Sequence, residues 1–153
     1  MMAVGREADA QAILATVRDD RGNSDYGVLA ALREAQIARD AGDVEMAIAL
    51  YDGLADSSGA DRFVRDIAAL AAATTLIDSG LGDDGVARLD ALIENESGVS
   101  AVAREHKAHY LYAQGQHDAA RGLFRELAED EESGAVGIRA RQVLAIVDRN
   151  SGV

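Results

Sequence analysis

Glu105, His106 and His109 stand close together in the chain, and His117 follows a glycine. Two imidazoles three residues apart share one helical face and can offer two nitrogens to a zinc ion. Zinc takes three or four protein ligands. His117 lies beyond a turn at Gly115, and no His-Glu-x-x-His pattern occurs. These histidines are therefore expected at a solvated or interface surface, with no metal. Gly80-Leu81-Gly82-Asp83-Asp84-Gly85 spells the glycine pattern of a dinucleotide site. That site needs a strand before it and an acid well after it. An alanine-rich helical run precedes it here, so the glycines are expected to make a helix–helix turn. Asp83 and Asp84 then fall at a helix start, where the macrodipole favours acids. The acidic run Glu129–Glu132 is expected to be a solvated inter-helix loop, and secondarily a docking site for a basic partner. There is no cysteine, and no Gly-x-Ser-x-Gly elbow occurs. No catalytic residue and no cofactor is expected.

The elements around these residues follow from composition. The chain has 153 residues, the size of one domain. It holds 31 alanines and lacks proline, cysteine and tryptophan. Alanine-rich, proline-free sequence favours helix over sheet. Twenty-seven acids oppose fifteen bases, for a formal net charge of −12. The arginines are scattered singly among acids, which argues against nucleic acid and against an anionic bilayer surface. No apolar stretch reaches the length of a membrane span, and the first residues carry no signal-peptide pattern.

A period runs through the chain. Gly5, Gly42, Gly80 and Gly115 each open a similar segment. Five residues after each comes a small residue: Ala10, Ala47, Gly85, Ala120. Four further on comes Leu14, Tyr51, Leu89 or Phe124, and three beyond that Val17, Leu54, Leu92 or Leu127. A glycine can end one helix in a left-handed conformation, and the small residue lets the next helix cross closely. The large residues share one face and fill the groove. Further amphipathic runs cover Tyr26–Ala41, Asp61–Ser79, Ser100–Gln114 and Ala135–Arg149. Breaks fall at Asp19–Asp25, Asp56–Ala60, Asn95–Ser100 and Glu129–Gly134, with Ser24, Ser97 and Ser100 as candidate N-caps. The expectation is eight helices and no strand.

These segments resemble the tetratricopeptide repeat, best at Gly42, Asp43, Ala47 and Tyr51 and next at Gly115, Ala120 and Phe124. The repeat's first-helix aromatic and closing proline are absent. The resemblance implies an all-α, right-handed α-solenoid built as a helical-hairpin array. Its units would be a partial repeat over about 1–24, full repeats over 25–60, 61–98 and 99–133, and a capping helix over 134–153. The runs Leu32–Leu54, Asp61–Ile77 and Ala101–Leu127 also resemble a narrower group. These are bacterial membrane-anchored proteins with a periplasmic repeat domain, akin to the ancillary periplasmic subunit of the Sec translocon. That likeness implies a chaperone-like module on the periplasmic side of the inner membrane. It would assist protein export or envelope protein handling, with Sec components or exported chains as partners. Membrane attachment would come only through a segment absent from this chain. The alternatives are a cytoplasmic scaffold and, more remotely, a small metal-dependent enzyme.

In such an array the first helix of each unit lines a concave face. Counting back from each glycine places Leu29, Leu32, Gln36 and Arg39 there, then Ile67, Leu70, Thr74 and Ile77, then Val102, Glu105, His109 and Tyr112. Leu29, Ile67 and Val102 are equally readable as inter-helix core. The expected partner-binding groove is Leu32, Gln36, Arg39, Leu70, Thr74, Ile77, Glu105, His109 and Tyr112. It suits an apolar peptide rather than a carboxylate, because Leu32, Leu70 and Glu105 occupy the places where bases would clamp one. Gly5 is expected to close a helix that is cut away, the alternative being that the first helix is simply an N-terminal cap. Ala10, Ile13, Leu14 and Val17 would then expose an apolar face able to pair with a second copy.

Overall fold

The computed structural model describes residues 2–21 and 24–151, with side chains described for 9–20 and 24–147. Its helices are α1 (Met2–Arg21), α2 (Asp25–Asp40), α3 (Val44–Ala55), α4 (Arg62–Asp78), α5 (Gly82–Glu94), α6 (Ser100–Ala113), α7 (His117–Glu129) and α8 (Ala135–Ser151). A 3-10 turn, Glu131–Ser133, precedes α8. No strand occurs among the described residues. Neighbouring helices pack in a repeat array. The chain forms two compact units, Met1–Gly85 and Val86–Val153.

The hairpins turn where the glycine period places them. Gly42 has φ +81° and Gly115 φ +77°, left-handed values that a side chain adopts only with strain. Asp43 then caps α3, its carboxylate accepting from the Met46 N–H at 3.2 Å. Ser24 caps α2 through the Gly27 N–H, and Asp61 caps α4 through the Phe63 N–H at 2.8 Å.

In the first unit, α3 inserts Tyr51 and Leu54 between α2 and α4, where Ala31, Ala35, Ala68 and Ala72 leave room for them. Tyr51 and Ala47 are fully enclosed, and burial pushes the Tyr51 hydroxyl above its usual range. The second unit repeats the plan. Phe124 and Leu127 of α7 pack with Ala108 of α6 and with Val136 and Ala140 of α8. Ala120 is again fully buried at the crossing. The four large anchors and two small residues of the repeat thus occupy the core positions that the sequence assigns them.

Three expectations need correction. Gly5 does not close a helix: it lies inside α1, which runs unbroken from Met2 to Arg21. Glycine permits a left-handed turn without requiring one, and costs only about 1 kcal/mol within a helix of good formers. The same continuity moves the first break from Asp19 to beyond Arg21. Neither Ser97 nor Ser100 is the cap of α6. Val99 holds that position without a side-chain bond, Ser100 is already helical, and the Ser97 hydroxyl accepts from the Val99 N–H one step early. The acidic run Glu129–Glu132 does face solvent where α7 gives way to α8, with Glu129, Glu131 and Glu132 exposed and part of it formed as the 3-10 turn. There the Asp130 carboxylate accepts from the Glu132 N–H at 2.9 Å.

On α1, Ile13 is 64% exposed, while Ala10, Leu14 and Val17 are half-buried against their own chain. The proposed N-terminal face is therefore partly covered by α2, its neighbour. No described helix is long and apolar enough to cross a membrane.

Candidate functional site

The residues expected to line the binding face fall on the first helices of the hairpins. In the first unit these are α2 and α4, whose Ala31, Ala35, Ala68 and Ala72 pack around Tyr51 and Leu54 of α3. Leu32 is half-buried because it packs on both of these clusters. Gln36 is exposed and accepts from Arg33 at 3.3 Å. Arg39 is exposed and pairs with Asp40 at 3.4 Å. On α4, Leu70, Thr74 and Ile77 are half-buried. The Thr74 hydroxyl donates to its own helix at the Ala71 carbonyl, 3.1 Å away. Ile77 lies beneath the start of α5, where Gly85 passes so close that an added Cβ would sit 2.6 Å from Ile77 Cγ1.

In the second unit, Glu105, His109 and Tyr112 lie at i, i+4 and i+7 on α6, one helical face. Each already has a partner. Two Arg139 nitrogens on α8 bond the two Glu105 oxygens at 2.7 and 2.6 Å. This bidentate contact holds the Glu105 carboxyl below its usual range, and nearby His109 and His106 add to the effect. His109 is exposed but sets its ring edge-on to Phe124, with centroids 5.0 Å apart. Tyr112 is 40% exposed and tilts against His117 at 4.6 Å across the Gly115 turn. That contact draws His117 to Tyr112. Among the described residues no cluster of three or more His, Cys, Asp or Glu side chains could hold a metal ion.

The two residues left open between core and surface on the first unit prove exposed: Leu29 at 62% and Ile67 at 37%. Val102, on the second unit, packs against the core. Tyr26 and Phe63, which are not among the expected groove residues, extend the same stripes by one turn and are exposed at 68% and 54%. Their signal was the helical spacing Tyr26–Leu29 and Phe63–Ile67 inside runs already read as helix. Arg139 gave no such signal, since it meets Glu105 across 34 residues of chain. A cavity of about 280 Å³ lies among α1, α2 and α3, lined by Arg18, Ala31, Leu50 and Leu54 with small residues beside them. Its arginine is engaged by the buried Glu34 at 2.8 Å and by Asp19.

Helix hairpins stacked through small residues, with apolar first-helix faces left open, define a helical-repeat protein of the interaction class. The chain belongs to the tetratricopeptide repeat-like domain family, whose sequence profile matches residues 2–146. No curated protein and no solved structure matches it. Domains of this family typically bind other proteins and are typically not enzymes.

Proposed function

We propose that this chain binds a partner protein through the open faces of its first helices: α2 and α4 in the first unit, α6 in the second. The carrying observation is that large apolar side chains remain exposed on these first helices. Tyr26, Leu29, Phe63 and Ile67 in the first unit and Tyr112 in the second are the cases. Exposed apolar groups on a small acidic protein mark contact surface more readily than they serve stability. Tyr112 is the expected anchor of the second unit, because tyrosine offers a large amphipathic contact at low entropy cost. Because Glu105 is already tied to Arg139, it serves that face as half of a neutral pair.

The setting we infer is the periplasmic side of a bacterial inner membrane, where the module would assist export or envelope protein handling. The likeness of the alanine-rich runs to that narrower group supports it. Cell fractionation of the native protein tests it, and recovery in the cytoplasm would reject it. The binding role is tested by affinity capture from the native cells with the wild-type chain and with a Tyr112→Ala/Ile77→Ala variant. The variant is expected to keep its helical circular dichroism and to lose partner. Equal capture by both would remove these faces as the site and turn attention to the acidic surface around Glu129–Glu132.

A further inference from the structure

Helix α1 packs on α2, yet none of its described side chains, residues 9–20, is fully enclosed. Its firm tie to α2 is polar: Arg18 Nη1 donates to Oε2 of the buried Glu34 at 2.8 Å. Beside that tie lies the cavity of about 280 Å³. It has the room of about nine waters, or of an organic molecule of about ten non-hydrogen atoms. Ala31 of α2 and Ala49, Leu50, Gly53 and Leu54 of α3 wall it. Among the described residues Arg18 is its one charged lining group. Apolar walls with a single oriented polar group are the usual make-up of a small-molecule site.

Gly53 keeps this space open. It lies inside α3, where glycine is a poorer helix former than alanine. Close neighbours account for glycine at 85 and 137, where an added Cβ would meet the carbonyl oxygens of Ala73 and Leu127 at 2.6 and 2.7 Å. At Gly53 the added atom would meet nothing within 4 Å. Packing within the chain does not require glycine there, and the missing side chain enlarges the cavity.

The guanidinium supplies the polar end. Arg18 Nε donates to Asp19 Oδ1 at 3.1 Å, and Nη2 lies 3.0 Å from the same oxygen. The donor pair that fits both oxygens of a carboxylate is thus held by one oxygen alone. The Asp19 side chain is 69% exposed, and exposed pairs hold weakly. A ligand carboxylate can take both donors and release Asp19 to solvent, while Glu34 keeps Nη1.

We propose that this cavity binds a medium-chain aliphatic carboxylate, its chain along Ala49 and Gly53 and its head group on Nε and Nη2 of Arg18. The chain supplies apolar contact that α1 otherwise lacks. The site uses none of the exposed first-helix side chains, so it stands or falls separately from partner binding.

The test is a methyl-region NMR titration of the full chain with hexanoate, octanoate, decanoate and dodecanoate, each below its micelle concentration. Shifts should centre on the Ala31, Ala49, Leu50 and Leu54 methyls. Affinity should rise about threefold per added methylene and level off beyond decanoate. Octanoate should bind at least about tenfold more tightly than octanol or octylamine. Gly53→Leu and Ala49→Leu, which fill the cavity from successive turns of α3, should each weaken octanoate about tenfold or more with helical circular dichroism retained. If one of them loses its helical spectrum, the other decides. Asp19→Asn removes the competing carboxylate and should tighten octanoate about threefold or more while leaving octanol unchanged.

Absence of shifts at about 10 mM octanoate would overturn the site. Equal affinity for octanol or octylamine, or no gain in Asp19→Asn, would overturn the carboxylate. Affinity that keeps climbing past decanoate, or full affinity in the folded filling variants, would overturn the cavity as the place of binding.

Discussion

The Arg139 guanidinium of α8 grips the Glu105 carboxylate of α6 by two N–H···O bonds, Nε to Oε1 at 2.7 Å and Nη2 to Oε2 at 2.6 Å. The two helices are otherwise joined mainly through α7, which packs against both. The pair is therefore a direct polar tie between a first helix and the helix that closes its unit. Glu105 is 13% exposed at its side chain and Arg139 50%, so solvent screens one partner more than the other.

That tie should make stability depend on pH in one direction. The Glu105 carboxyl is held below its ordinary 4.5, so the folded state binds its proton less readily than the unfolded chain does. The stabilisation is present in full above that ordinary value and is lost as pH falls through the lower folded one. Urea midpoints should therefore be lower for Glu105→Gln than for the native chain at neutral pH. The gap should narrow as pH drops below 4.5. A gap that persists unchanged under strong acid would mean the pair contributes through packing and not through charge.

Two helical glycines should respond oppositely to the same substitution. At Gly85 an added Cβ would lie 2.6 Å from the Ala73 carbonyl oxygen and 2.6 Å from Ile77 Cγ1. A backbone carbonyl cannot yield as a side chain can, so Gly85→Ala should destabilise by about 1–3 kcal/mol despite its better helix propensity. At Gly122, inside α7, nothing lies within 4 Å of the added atom. Gly122→Ala should stabilise by about 0.5–1 kcal/mol. Chemical denaturation of both variants checks the pair of signs.

Ala120 is fully buried where α7 crosses α6. Ala120→Leu should overpack that crossing at a cost of about 1–3 kcal/mol. Phe124→Ala, one turn on, should cost about 3–5 kcal/mol by opening a cavity beneath His109. A neutral result at either position in urea titration would show that the small-then-large register of the repeat does not govern this core.

Ser133 joins α7 to the 3-10 turn, its hydroxyl lying 2.8 Å from the Leu127 carbonyl and 2.7 Å from that of Asp130. Ser133→Ala would leave a buried carbonyl without this donor, and about 1 kcal/mol should be lost. Hydrogen exchange localised to the start of α8 would report the same weakening.

Most of the helix plan was legible in the residues because its causes are local. A left-handed glycine acts on its immediate neighbours, and a 3.6-residue period shows within a few turns. Gly42, Gly80 and Gly115 therefore mark the hairpins, and Ala47, Tyr51, Ala120 and Phe124 fall in the core as their spacing requires. Gly5 marks no turn, because only its surroundings decide whether a glycine bends or continues a helix. The candidate face divides in the same way. That Leu29, Leu32, Ile67 and Leu70 share helix faces follows from counting. That Leu29 and Ile67 stay open while Leu32 packs inward depends on how α2, α3 and α4 meet, which no single helix encodes. The partners of Glu105 and Tyr112 are likewise set by tertiary contact. Arg139 and His117 reach them from other helices, one across the unit and one around the Gly115 turn. Such pairing is fixed by where packed backbones place two side chains, not by the residues beside either of them.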